Sequence, residues 1–173
     1  GGINLEDIAA PHCFYIENEL KKRLSIPVFH DDQHGTAVIV AAALTNAMEI
    51  QHKNIHEVRI VFLGAGAAGC SCARLLKLMG AKHITMVDRK GVLHTNRKDL
   101  NQYNQDLAVE TKGRLLSDAM ENSDVFIGVS GANLLDEDHV KLMAKNPIIF
   151  ALANPDPEIL PSKAHAIRDD IVM

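Results

Sequence analysis

Val58-Arg-Ile-Val-Phe-Leu63 runs without a break into Gly64-Ala-Gly-Ala-Ala-Gly69, and no other stretch of the chain restricts its fold as much. The first segment is apolar and β-branched apart from Arg59, the composition of a strand buried on both faces. The second fits G-x-G-x-x-G in full. From Ala67 to Met79 apolar residues recur at helical spacing, and Gly80 supplies a stop. His83-Ile-Thr-Met-Val87 reads as a second strand that ends in Asp88. Each part has a physical task in dinucleotide binding. Gly64 permits the tight turn, Gly66 lets the backbone approach a pyrophosphate, and Gly69 lets the helix pack closely. Ala65, Ala67 and Ala68 complete the phosphate turn, and the helix start offers free N–H groups and a positive dipole end. The Asp88 carboxylate stands where it can accept both ribose hydroxyls of an adenosine. A glycine run alone is a weak sign, because glycine also punctuates ordinary turns. The strand before it, the helix after it and the acid beyond make dinucleotide binding the stronger reading.

The remainder supplies matching elements. Gly1–Leu5 reads as the end of a strand, Ala10–Leu24 as a helix that tolerates Pro11 in its first turn, and Ser25–Phe29 as a short strand. His30–Gly35 reads as a polar loop. Thr36–Gln51 has hardly a polar face, which predicts a helix buried all round. His94–Gln105 reads as an excursion loop without a core of its own. Leu115–Asn122 and Asp136–Lys145 read as helices, with Asp124–Gly128 and Pro147–Leu152 as buried strands. Alternating helices and continuously apolar strands predict an α/β fold, a doubly wound, Rossmann-like and mostly parallel sheet with helices on both faces. The expected division is residues 1–52, an acid-bearing segment and buried helix, and residues 53–173, the nucleotide domain. Gly64, Ser130 and Asn154 then converge at the carboxyl edge of the sheet, where such folds bind ligands.

Composition excludes several classes. The apolar fraction is 47% and the net charge −4, with no basic cluster to meet nucleic acid or an anionic membrane. No apolar run approaches the ~20 residues of a membrane span. Cys13, Cys70 and Cys72 form no disulfide framework, and reduced buried thiols imply a cytoplasmic protein.

Two acidic doublets, Glu6-Asp7 and Asp31-Asp32, each follow a short apolar run. Brought together, carboxylates repel unless a cation sits between them, and an oxygen-only donor set suits Mg²⁺ or Mn²⁺. On spacing alone, the stronger reading is that the acids cap the helices that begin near Ala10 and Thr36. His30 and His34, flanking the acids, read as loop residues, since their spacing suits a shared ligand only on a helix. The other histidines considered (His12, His52, His56, His94, His139 and His165) read as surface positions.

Gly2-Ile-Asn-Leu-Glu-Asp7, Pro27-Val-Phe-His-Asp-Asp-Gln-His-Gly-Thr36, Gly64-Ala-Gly-Ala-Ala-Gly69 and Ala151-Leu-Ala-Asn-Pro155 together resemble the malic enzymes of bacterial type, in order and spacing and over essentially the whole chain. The resemblance implies oxidative decarboxylation of malate to pyruvate and CO₂, with NAD or NADP and a divalent metal. It implies Glu6, Asp7 and Asp32 as metal ligands and Asp31 behind them, hydrogen-bonded to a catalytic lysine. It implies Asn154 near the nicotinamide and substrate, and a homo-oligomer, dimer or higher. In that family the general-base lysine and the acid tyrosine precede the first acidic block. Neither Tyr15 nor Tyr103 falls in a matching block, so the resemblance implies cofactor and metal half-sites with little or no turnover from this chain alone. Asp88 tilts the cofactor toward NAD, while Arg89 and Lys90 beside it could hold a 2′-phosphate. A dehydrogenase of amino-acid or shikimate type, and a nucleotide-binding regulatory module, are the alternatives.

Overall fold

The computed structural model describes residues 1–173. Its central sheet has five strands in the order β5-β4-β3-β6-β7. These are β3 (Arg59–Leu63), β4 (His83–Asp88), β5 (Gly91–Val92), β6 (Val125–Gly128) and β7 (Ile148–Ala151). β3, β4, β6 and β7 are parallel, and the short edge strand β5 is antiparallel. Alternation along each strand divides the core. Ile60 and Phe62 face a cluster closed by Val40, Leu44, Cys70, Cys72 and Leu76 from α2 (Thr36–Ile50) and α3 (Ala67–Leu78). Val61 and Leu63 face a second cluster with Met120, Val140 and Ala164 from α4 (Leu116–Met120), α5 (Glu137–Leu142) and α6 (Pro161–Ile167). Helices thus cover both faces, the doubly wound arrangement expected from the continuous apolar strands.

The chain proceeds from β3 to β4 on one side and returns to β6 and β7 on the other. The order therefore reverses between β3 and β6, and the crevice at such a reversal is where these folds take ligands. A separate two-stranded parallel sheet pairs β1 (Ile3–Leu5) with β2 (Val28–His30), Leu5 opposite His30. α1 (His12–Arg23) connects them, with Pro11 capping it from just outside.

Four sequence readings are corrected. His30–Gly35 is not a polar loop: His30 ends β2 fully buried, and Asp31–Gly35 is a π-helical turn continuous with α2. α2 is not buried all round. Its Ala37, Val40, Leu44 and Ala47 side is buried, whereas Val38 and Ile39 are 56% and 69% exposed. The stretch after β5 does have an anchor, since Leu93 and Leu107 are in the core and Leu100 packs on it. His94 and His139 are half-buried rather than surface positions. The sequence reading also left out β5 and α6.

The one-sided burial of α2 has a measurable consequence. Leu44→Ala is expected to cost about 2–5 kcal/mol of unfolding free energy, by lost transfer and cavity formation. Ile39→Ala should cost less than about 0.5 kcal/mol; urea denaturation of the two variants checks the contrast.

Candidate functional site

The turn after β3 is built by backbone touching backbone. Gly64 has φ +122, a conformation that L side chains rarely adopt. Its N–H donates to the Val87 carbonyl at 2.8 Å, and a Cβ on it would stand 2.8 Å from the Val129 carbonyl oxygen. Val129 N–H in turn donates to the Leu63 carbonyl at 2.9 Å. At Gly69, one turn into α3, a Cβ would overlap the Gly64 carbonyl oxygen. At Gly66 a Cβ would meet nothing within 4 Å. The three glycines therefore differ in kind: Gly64 for conformation, Gly69 for contact, Gly66 for open space in front of the turn. No side chain caps α3 and no acid lies in its first turn, so its first amides and positive dipole end face that space.

Asp88 ends β4 but is not a free carboxylate. Arg97 forks onto it, Nη1 to Oδ1 and Nη2 to Oδ2, both at 2.8 Å, and the Lys90 N–H donates to Oδ1 at 2.8 Å. With three donors already in place, little acceptor capacity remains, so Asp88 has room for one ribose hydroxyl rather than two. Arg97 is 9% exposed and also bonds Asp99, which takes Lys90 Nζ at 2.8 Å. Hydrogen bonds from Arg97 and Lys90 hold the Asp99 carboxyl well below the ordinary range, and the two acids raise the Arg97 guanidinium further. Arg89 is exposed beside this cluster. Nothing in the spacing of Arg97 marked it, because its contact with Asp88 depends on the reversal through β5.

At the ends of β6 and β7, register places Leu63 opposite Gly128 and Gly128 opposite Ala151, so the Gly64, Ser130 and Asn154 turns do share one edge. Asn154 is exposed there. Behind them lies Glu158, fully buried. Its Oε1 accepts the Ser130 N–H at 2.9 Å and its Oε2 the Ala153 N–H at 3.1 Å. Sequence reasoning missed this residue, since nothing marks one acid in Pro155-Asp-Pro-Glu158 as the buried one.

The acidic doublets lie at the carboxyl ends of β1 and β2. Asp7, at φ +57, donates its N–H to Asp32 Oδ2 at 2.9 Å. Glu6, Asp7 and Asp31 are exposed and Asp32 half-buried. Neither α1 nor α2 has a side-chain cap, although Asp31 and Asp32 do lie in the first turn of the helical run that leads into α2. In this conformation no three metal-binding side chains converge on one point. The donor set nevertheless fits a hard divalent cation: all oxygen, on two adjacent strand ends. Beneath it His30 is fully buried, both ring nitrogens without a hydrogen bond, with Nε2 3.9 Å from Asp32 Oδ2. His34 turns away instead, to Glu17 at 2.6 Å, a buried carboxylate that also takes Lys21 at 2.6 Å and Gln33 at 3.2 Å. Burial raises the Glu17 carboxyl, but the Lys21 and His34 hydrogen bonds outweigh it and hold it below its ordinary value. The cysteines are free and buried, and burial pushes the Cys70 thiol up to about 11 and that of Cys72 to about 12, as inert core thiols require. Tyr15 is exposed and Tyr103 stacks on Phe14 with ring centres 4.5 Å apart.

The switch-point crevice, the glycine turn and the acid at the end of β4 define a dinucleotide-binding α/β domain. Residues 33–172 match the family model described as the malic enzyme NAD-binding domain, and the chain belongs to that family. It is 53% identical to an NADP-dependent malic enzyme of Halomonas elongata, over 100% of this chain and 42% of the relative. To an NAD-dependent malic enzyme of Geobacillus stearothermophilus it is 50% identical, over 95% of this chain and 35% of the relative. The crystal structure of an NAD-dependent malic enzyme from Thermotoga maritima superposes with a TM-score of 0.91 at 46% identity, over 96% of this chain and 46% of that one. The chain thus spans less than half the length of these relatives. A glutamate dehydrogenase structure from Thermus thermophilus, at 16% identity and TM-score 0.59, shares the fold alone. No helix is long and apolar enough to cross a membrane.

The glycine geometry sets two variants apart. Gly69→Ala is expected to lose about 1–3 kcal/mol of stability by overpacking. Gly66→Ala should stay within about 0.5 kcal/mol of the parent in stability while weakening dinucleotide binding; denaturation and calorimetric titration read the two effects separately.

Proposed function

We propose that this chain supplies the cofactor-binding side and the metal-binding acids of an enzyme that oxidatively decarboxylates malate to pyruvate and CO₂ with reduction of NAD(P). The observation that carries the reading is the open, uncapped start of α3 behind Gly66, with Gly69 pressed on Gly64. Residues Gly64–Gly69 would cradle the pyrophosphate through backbone amides. Asp88 would take one ribose hydroxyl, and Asn154 would meet the nicotinamide and substrate. Glu6, Asp7 and Asp32 would hold Mg²⁺ or Mn²⁺, with Asp31 behind them orienting a lysine of the longer protein. When bound, the cation supplies Lewis-acid polarisation of the malate C2 oxygen and the nicotinamide accepts the hydride. The chain's own part is positional: the β3, β6 and β7 turns hold one reactant and the β1 and β2 ends the other.

Residues 1–52 form the acid-bearing segment in this reading, and residues 53–173 the nucleotide domain. In this reading the longer protein is a homo-oligomer, as the family resemblance implies, and cytoplasmic, as its reduced buried thiols imply. A free Asp88 would disfavour a 2′-phosphate and so favour NAD. With Arg97 on that carboxylate and Lys90 Nζ on Asp99, Arg89 is the cation left to meet a 2′-phosphate, so the site accepts NADP as well as NAD. Relatives of both kinds, NADP-dependent in H. elongata and NAD-dependent in G. stearothermophilus, accord with this.

Three measurements test the proposal. In the full-length protein with Mn²⁺, Asp32→Asn is expected to lower malate-dependent NAD(P)H formation roughly 100-fold or more, and chelation of the metal should do the same. Undiminished turnover in either case contradicts the metal assignment. Arg89→Ala should raise the Kd for NADP several-fold more than that for NAD, since only NADP brings a 2′-phosphate. The 173 residues alone should show little or no turnover, since the resemblance implies that the general-base lysine and acid tyrosine precede the first acidic block.

A further inference from the structure

Glu158 is a carboxyl group placed in the interior with no ion-pair partner. It is 0% exposed, and its partners are the Ser130 N–H at 2.9 Å, the Ser130 hydroxyl at 3.4 Å and the Ala153 N–H at 3.1 Å. Its two oxygens therefore serve two different loops, one after β6 and one after β7. A carboxylate is the only side chain of this length that can accept at both oxygens; an amide must present a donor at one of them. The surroundings are arranged around it. A Cβ at Gly128, opposite, would lie 2.6 Å from both carboxylate oxygens, so glycine is what lets Glu158 approach the strand ends. The backbone on either side is tied as well: the Glu158 carbonyl accepts the Leu135 N–H at 3.1 Å and the Pro157 carbonyl the Asn133 N–H at 3.0 Å.

The loop that Glu158 holds is the same loop that the glycine turn rests on. Val129 sits between Gly128 and Ser130, its N–H on the Leu63 carbonyl and its own carbonyl against Gly64. On the other side, Ala153 immediately precedes Asn154.

We propose that Glu158 is a positioning residue: one buried carboxylate braces the Ser130 and Ala153 turns against each other and so fixes Asn154 relative to the Gly64–Gly69 turn across the cofactor crevice. The inference rests on the dinucleotide-binding reading of that edge. Fully buried, Glu158 exerts its effect through the two backbone amides it holds rather than by contact with a ligand. Two acceptor oxygens there, instead of the one an amide offers, keep both turns in one geometry, because movement of either breaks a part-buried N–H bond to the one buried carboxyl group.

The test uses amide hydrogen exchange and cofactor titration on the full-length protein. In the parent, Ser130 and Ala153 N–H exchange slowly and with a common opening free energy, since one group holds both. Independent exchange of the two overturns the proposal without any variant. Glu158→Gln preserves size but turns an N–H₂ toward one of the two donors. At least one amide should then exchange about tenfold faster or more, and the KM for NAD(P) should rise about tenfold while the KM for malate changes less. A variant that merely unfolds at lower temperature, with exchange at both amides and cofactor KM unchanged well below that temperature, contradicts the bracing role. Absence of dinucleotide binding by the parent would sink the cofactor reading instead, and the exchange comparison still decides the brace.

Discussion

The contact on which the site depends is the Gly64 carbonyl oxygen lying directly against the backbone of Gly69. It brings the start of α3 down onto the end of β3, which aims the helix's unsatisfied amides across the edge of the sheet rather than along it. The Val129 carbonyl closes the opposite side of Gly64 and joins the β6 loop to the same junction. Because the strand order reverses here, no further strand fills the gap in front, and the open space at Gly66 remains for a ligand. Close packing and vacancy arise from the same three glycines, which is why they are not interchangeable.

Charge in this domain is placed by two opposite devices. At the end of β4, Asp88 and Asp99 are met by Arg97 and Lys90 in a partly exposed network, where fork geometry rather than Coulomb energy gives the order. At the ends of β6 and β7, Glu158 is fully buried and satisfied by neutral donors alone. Taking a carboxylate out of water costs several kcal/mol, so such a group persists only where its hydrogen bonds are well made. The exposed network can rearrange for a nucleotide; the buried acid cannot move without releasing the two loop amides it holds.

Most of the fold was legible because it rests on local periodicity. The β3–α3–β4 unit follows from residues within one short window, and its reading needed only changes of a residue or so at the ends. What failed depended on distant neighbours. Val38 and Ile39 are as apolar as Val40 and Leu44, and only tertiary placement decides which pair is covered. His30 looked like part of a polar loop because Asp31 and Asp32 follow it, yet strand pairing with Leu5 buries it. Arg97 and Glu158 were invisible for the same reason, since their partners are brought to them by a chain reversal and by the packing of two loops. The acidic doublets were found by their type, and what they hold was implied by resemblance rather than by spacing.

The most direct test of the account is to follow the backbone amides of residues 64–69 by nuclear magnetic resonance while NADP, then NAD, is titrated into the chain. The account expects saturable shifts concentrated at Gly66, Ala67 and Ala68, with smaller changes at Ser130 and Asn154, and their loss in a Gly66 variant carrying a bulky side chain. Saturable binding that leaves the 64–69 amides unmoved, or no binding at all, would contradict the assignment of this turn as the phosphate cradle.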